Sequence, residues 1–321
     1  MPTPTFDMTT IGETMLRLSV PAGERLEHAR RLDLFPAGAE ANIASALSRL
    51  GHRCAWLGGL PDSSLGRIVA NQLRMAGVNL DGVIWDPDGR MGTYFVEFAA
   101  PPRPIQVIYD RADSVAAKLQ PTQINWDLLL DTRLIHLTGI TPALTPNSRT
   151  IVEEAIRRAK VANVPVGFDV NYRGKLWSPQ DAADTIIPLV QEIDLFFCGQ
   201  GDARTLFNIE GDPEDAVRQL ADLSHAQTVV MSIGDRGAVA WDGARFYHEA
   251  AFPVEVIDRI GAGDALAAGI VHGWLRGDLA AGLRYGVAMA ALALSQYGDM
   301  VTTNQAELDA VLENAGGGVN R

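Results

Sequence analysis

Apolar runs and apolar stripes alternate along most of this chain. Residues 8–11 begin with a short strand pattern that ends at Gly12-Glu13. Residues 41–50 place apolar side chains at helical spacing, and Gly51 is a suitable stop just past the helix end. A strand over 54–57 and a helix over 65–76, closed by Gly77, come next. Strand patterns recur at 134–137, 164–170, 195–198, 228–233 and 238–241. Thr145-Pro146 opens a helix over 147–160 with proline at its first position, and 202–207 reads as another helix. Residues 251–257 form a further apolar, strand-like run, and the alanine-rich stretches 265–275 and 280–297 suit helices packed tightly on a sheet. This alternation predicts an α/β fold in which a mostly parallel sheet is covered by helices on both faces.

Two stretches break the rhythm. Residues 14–34 read as short strands around Pro21-Ala22-Gly23. Residues 91–110 alternate from Thr93 to Phe98, pass through 99–104 and resume at 105–109, which is a hairpin pattern. Together they predict a small β-layer over the open edge of the sheet. The expected organisation is a core of residues 1–13, 35–90 and 113–315, a β lid of residues 14–34 and 91–112, and a flexible tail over 316–321 that contains Gly316-Gly317-Gly318.

The 321 residues carry a net charge of −12, which argues against nucleic acid or an anionic membrane as the main partner. Any phosphate-handling site must then be positive locally. Cys54 and Cys198 both lie in apolar surroundings, so two buried thiols and a reducing cytoplasm are expected rather than a disulfide. The start lacks a basic-then-apolar leader, and no apolar run of about 18 residues occurs. A soluble cytoplasmic protein is the expectation. His136, alternating with Leu134 and Leu137, reads as a satisfied strand residue, and no His/Cys spacing suggests zinc.

The candidate chemistry gathers at residues 258–265, DRIGAGDA, where two glycines precede a small-residue helix. The first N–H groups of a helix have no intrahelical partner, and the dipole there favours negative charge. Asp264 adds a carboxylate to that first turn. Bare amides beside an acid suggest a place where phosphate charge is stabilised and a hydroxyl gives up its proton. A dinucleotide fingerprint is a poor alternative, because the third glycine is missing and the motif lies far from the first strand.

Gly261-Ala262-Gly263-Asp264, with Ala265 and Gly269, resembles the second signature of the ribokinase-like (PfkB) carbohydrate kinases. Gly38-Ala39-Glu40-Ala41-Asn42-Ile43-Ala44 resembles the first, and the similarity runs from about Thr9 to Leu312. The resemblance implies a three-layer α/β/α sandwich with a β lid, and ATP-dependent phosphorylation of a sugar hydroxyl with Mg²⁺. Asp264 would be the base, the amides of Gly261, Ala262 and Gly263 the anion hole, and Gly38, Ala39 and Asn42 substrate contacts. Residues 232–238, SIGDRGA, resemble the family's nucleotide loop, which assigns Ser232, Gly234, Arg236 and Gly237 to ATP.

Residues 168–173, FDVNYR, with Leu176-Trp177, are similar to a pattern in 2-keto-3-deoxygluconate kinases and some fructokinases, which brings Asn171 and Arg173 to substrate and nucleotide. Tyr109 and Arg111 resemble the Tyr-x-Arg segment that reaches the substrate carboxylate in those kinases. Tyr94 on the other hairpin strand and Asp299 near the C-terminal helix end complete the implied substrate set. A guanidinium there suits a sugar acid through a bidentate ion pair. The implied reaction is therefore conversion of 2-keto-3-deoxygluconate to its 6-phosphate. A fructose- or ribose-type kinase is the alternative, and a non-catalytic nucleotide or sugar sensor the third reading. Lids of relatives pair between subunits, which implies a homodimer.

Two departures stand out. The family's Asn-x-x-Glu is replaced by Gly199-Gln200-Gly201-Asp202, leaving Asp202 as the candidate metal contact. Arg259-Ile260 replaces the Thr-Thr of many ribokinases, which weakens transfer of their monovalent-cation site and leaves a K⁺ requirement open.

Overall fold

A computed structural model describes residues 3–99 and 102–313. The chain begins with β1 (Met8–Ile11), then makes β2 (Met15–Ser19) and β3 (Asp33–Ala37). It continues with α1 (Ala39–Arg49), β4 (Cys54–Pro61), α2 (Ser64–Ala76) and β5 (Val83–Asp86), before the hairpin β6 (Thr93–Glu97) and β7 (Gln106–Asp110). Next come α3 (Trp126–Leu130), β8 (Ile135–Thr138), α4 (Pro146–Ala162), β9 (Val166–Asp169), α5 (Pro179–Val190) and β10 (Leu195–Gly199). The order ends α6 (Gln200–Phe207), α7 (Pro213–Ser224), β11 (Thr228–Ser232), β12 (Ala238–Trp241), β13 (Phe246–Glu249), α8 (Ala262–Leu275), α9 (Leu279–Leu294) and α10 (Gln305–Glu313).

The large sheet has the order β13-β12-β11-β10-β9-β8-β1-β4-β5. It is parallel from β11 through β5, and β12 and β13 join antiparallel. Both faces are buried. Trp56, Leu47 and Ile270 belong to one core, and Phe168, Ile151 and Ile186 to the other. That is why the central strands read as continuous apolar runs. Local signals set the helix ends. Thr145 accepts the Ser148 N–H at 3.1 Å ahead of α4, and Gly77 ends α2 with φ of +94°. Helices α8 and α9 pack almost backbone to backbone: a methyl group on Gly269 would stand 2.5 Å from the Gly286 nitrogen, and one on Gly273 would stand 2.2 Å from the Gly282 α-carbon. Small residues thus fix the helix that carries Asp264.

The second sheet, β3-β2-β6-β7, is mixed: β2 runs antiparallel to β3 and parallel to β6, and β6 and β7 form the antiparallel hairpin. It does not sit over the open edge of the large sheet as expected. Neither edge strand, β5 or β13, pairs with it. It stands instead at the carboxyl ends of the central strands, where Lys175 after β9 donates to the Val107 carbonyl at 2.5 Å and Arg111 pairs with Glu13 just past β1. Strand β3 also continues to Ala37, past the boundary expected at Leu34, and leads straight into α1.

Three other expectations need correction. Residues 251–257 are not a strand: Pro253 has no N–H for a ladder, and Ile257 donates to the Leu294 carbonyl at the end of α9. The last alanine-rich helix stops at Leu294 rather than at 297, ahead of Gly298 at φ +99°. His136 is a buried strand residue, but neither ring nitrogen has a hydrogen-bonding partner among the described residues, and burial pushes its pKa down to about 4. The expected tail over 316–321 lies outside the described residues. No helix among the described residues is long and apolar enough to cross a membrane. Both cysteines are buried free thiols, and burial pushes Cys54 up to about 12.

Candidate active site

The amino end of α8 is built on Gly261, whose φ of +88° and close approach to Asp299 admit only glycine: a methyl group would lie 2.1 Å from the Asp299 carbonyl oxygen. Gly263 differs. It is exposed and a Cβ there would meet only open space, so neither packing nor backbone conformation requires glycine at this position. The first-turn N–H groups of Ala262, Gly263 and Asp264 have no partner within the helix.

Asp264 is buried beside these amides. Asn42 at the start of α1 donates its Nδ2 to Asp264 Oδ2 at 2.6 Å, and Asn171 after β9 donates to Oδ1 at 3.3 Å. Asn171 holds its place in the left-handed region at φ +42°, and its own N–H is capped by Asp169 at 3.1 Å. Burial raises the Asp264 pKa, and the two amides together with the Arg173 charge oppose that rise. The result is a carboxylate that is pinned in orientation and more basic than an exposed one.

A cleft of about 510 Å³ surrounds this group. Gly38, Ala39, Asn42, Tyr94, Tyr109, Arg111, Asn171, Arg173, Ser232, Gly261, Gly263, Asp264 and Asp299 all line it. Ala262, Gly234, Arg236 and Gly237 lie outside the lining; Arg236 sits on the turn after β11 and donates to Gln200 at 2.9 Å.

The floor of the cleft is acidic. Asp169 at the end of β9 is pushed up to about 8 by burial, then by the nearby Asp264 and Asp202. Burial likewise raises Asp202, although it accepts the Tyr172 N–H at 3.2 Å. Among the described residues no group of three or more His, Cys, Asp or Glu side chains is placed to hold a metal. Two cleft carboxylates, Asp169 and Asp202, nevertheless suit Mg²⁺, which takes one or two carboxylates and completes its shell with phosphate and water. Gly199 leaves this floor open, since a Cβ there would make only ordinary contacts with Ser232 and Asp202.

The other end of the cleft holds groups that sequence reasoning missed. Glu13 takes the Arg111 Nε at 2.8 Å and its Nη2 on one carboxylate oxygen, and the Ser114 hydroxyl at 2.6 Å on the other. Arg111 is therefore already paired along its Nε/Nη2 edge, and its Nη1 makes no hydrogen bond among the described residues. Both oxygens of Asp299 are engaged as well, by Arg17 at 2.7 Å and by the Tyr94 hydroxyl at 2.5 Å. Arg259 lies exposed on the cleft wall with no hydrogen bond or ion pair among the described residues. The signal for Arg259 was its position inside the glycine-turn motif. For Arg17 and Glu13 there was only a charged residue in or beside an apolar strand.

The sequence profile of the pfkB family carbohydrate kinases matches residues 6–306. A 2-dehydro-3-deoxygalactonokinase from Haloferax volcanii is 40% identical over 318 residues, covering 99% of this chain and 100% of that protein. A 2-dehydro-3-deoxygluconokinase from Thermoproteus tenax is 32% identical over 300 residues, 92% of this chain and 90% of its own. The crystal structure of 2-dehydro-3-deoxygluconokinase from Thermotoga maritima superposes with a TM-score of 0.90 at 29% identity, covering 96% of this chain and 98% of the other.

The acidic floor makes a direct prediction. In a ¹³C titration of side-chain carboxyls, Asp264 and Asp169 of the ligand-free protein should titrate above the usual ~3.9 for aspartate. Replacing Arg173 with Met removes a nearby cation and should raise both further. Unmoved values in Arg173→Met would contradict the electrostatic picture of the site.

Proposed function

The chain belongs to the pfkB family of carbohydrate kinases and has the ribokinase-like fold, and from that premise we propose that it phosphorylates a 2-dehydro-3-deoxyaldonate. The acceptor is the gluconate or its C4 epimer, the galactonate, and the product is the 6-phosphate. Two relatives carry these two names, which supports the substrate class and leaves both epimers in play.

The observation that carries the reading is Arg111 at the cleft. Glu13 occupies its Nε/Nη2 edge, which orients the guanidinium and leaves the Nη1/Nη2 end for a substrate carboxylate. With the acid group held there, Gly38, Ala39, Asn42 and Tyr94 flank the sugar and direct its terminal hydroxyl at Asp264. Asp264 takes the hydroxyl proton as the sugar oxygen attacks the γ-phosphorus of ATP and the bond to the β–γ bridging oxygen breaks, releasing ADP. The amides of Gly261, Ala262 and Gly263 stabilise the charge on the transferring group. Ser232 and the turn at Gly234, Arg236 and Gly237 hold the nucleotide, with Asn171 and Arg173 between it and the acceptor. Asp169 and Asp202 would hold Mg²⁺, which would neutralise phosphate charge.

One observation favours a second reading. The Glu13–Arg111 pair is neutral as a unit, and a neutral hexose, as in a fructokinase, would leave it undisturbed. The outer face of the small sheet exposes Leu34 (47%) and Ile108 (52%), which supports a homodimer through the lid. Two buried free thiols suit a cytoplasmic setting.

Arg111→Met should lower kcat/KM for the sugar acid by at least ~10-fold, chiefly through KM, since a charged hydrogen bond is worth ~1.5–3 kcal/mol. Unchanged sugar-acid kinetics would remove the carboxylate argument and favour the neutral acceptor. Ile108→Glu should convert the assembly to monomers in sedimentation velocity, and a dimer that survives it would refute the lid interface.

A further inference from the structure

Arg17 lies in the middle of β2, and its side chain is 0% exposed. Each guanidinium nitrogen has an acceptor. Nε donates to the Ser19 hydroxyl at 2.7 Å, Nη1 to Asp299 Oδ1 at 2.7 Å, and Nη2 to Asp258 Oδ2 at 2.5 Å. The Phe35 and Phe98 rings lie 5.3 and 5.0 Å from the guanidinium carbon. A buried cation needs such complete pairing, and only the planar fork of arginine reaches three acceptors at once.

The two acids shape the glycine turn. Asp258 Oδ1 accepts the Ile260 N–H at 3.0 Å, and its Oδ2 accepts the Gly298 N–H at 3.2 Å. The Asp299 carbonyl backs the Gly261 α-carbon so closely that no side chain fits between them. Tyr94 on β6 binds the remaining oxygen of Asp299. Residues 258–261 and 298–299 thus meet through one guanidinium that belongs to the small sheet.

We infer that Arg17 is a positioning residue for phosphoryl transfer: it fastens strand β2 of the lid to the glycine turn and sets the Gly261–Gly263 amides before any ligand arrives. This inference rests on the kinase reading of that turn but not on the identity of the sugar. Strand β2, one of the two inner strands of the small sheet, is then part of the catalytic frame rather than a freely moving cover. Preorganised donors act on the transition state more than on bound substrate, so their misplacement should appear in kcat.

The test compares wild type with Arg17→Lys, which keeps the charge but cannot span both carboxylates, on whichever acceptor the wild-type enzyme phosphorylates. Circular dichroism and thermal unfolding first establish that the variant is folded at the assay temperature. We expect kcat to fall by at least ~10-fold while KM for ATP changes by less than about 3-fold. A folded variant with wild-type kcat, or one whose loss lies in KM alone, would overturn the positioning role. If Arg17→Lys does not fold, Ser19→Ala removes only the Nε acceptor and should still lower kcat by roughly threefold. A folded Ser19→Ala with wild-type kcat would then overturn the role. Asp264→Asn serves as the control. Full turnover in Asp264→Asn removes the kinase reading of the turn, whereas an inactive Asp264→Asn beside a fully active Arg17→Lys removes the positioning role alone.

Discussion

The 2.6 Å hydrogen bond from Asn42 to Asp264 joins the amino ends of two helices whose residues stand 222 apart in sequence. Most of the site follows from it. Helix α1 brings Gly38 and Ala39 to the cleft, helix α8 brings the bare amides, and Asn171 closes the other side of the same carboxylate. The glycine-to-glycine contact of α8 with α9 holds the whole assembly from behind. A carboxylate taken out of water is costly unless it is hydrogen-bonded, so this arrangement is also what lets Asp264 remain an acceptor at all.

Charge is distributed unevenly in the cleft, and that fits the chemistry. The acidic floor of Asp169, Asp202 and Asp264 would repel a polyphosphate by itself. Arg173, close enough to act on Asp169, Asp202 and Asp264 without a contact ion pair, Arg259 and the helix amino end supply the local positive field that an acidic protein otherwise lacks. Arginines on the lid side behave differently. Arg17 and Arg111 are both paired internally, which turns them into rigid fixtures rather than mobile charges.

The layered fold was legible because its signals are local: apolar runs for strands buried on both faces, Gly77 at a helix end, Thr145-Pro146 at a helix start. The glycine turn was legible for the same reason. Arg17 was not, because an arginine between Leu16 and Leu18 reads as an outward-facing strand residue, and its acid Asp258 lies 241 residues away. The pairing of Arg111 with Glu13 was hidden in the same way, across 98 residues. The strand expected over 251–257 failed on hydrogen bonding: Pro253 interrupts any ladder, the Ile257 N–H goes to the Leu294 carbonyl of α9, and of its apolar side chains Phe252 packs on the core while Val256 and Ile257 are exposed. The position of the small sheet could not be read from alternation, which reports a pleated surface but not what the surface covers.

The central claim is that this cleft transfers a phosphoryl group to a sugar acid. ADP release with Mg-ATP, measured side by side for 2-dehydro-3-deoxygluconate, 2-dehydro-3-deoxygalactonate, fructose and ribose, tests it most directly. One or both sugar acids should be turned over with kcat/KM at least ~10-fold above either neutral sugar, the margin that a single charge-assisted contact supports. Turnover of fructose or ribose with neither acid accepted would contradict it.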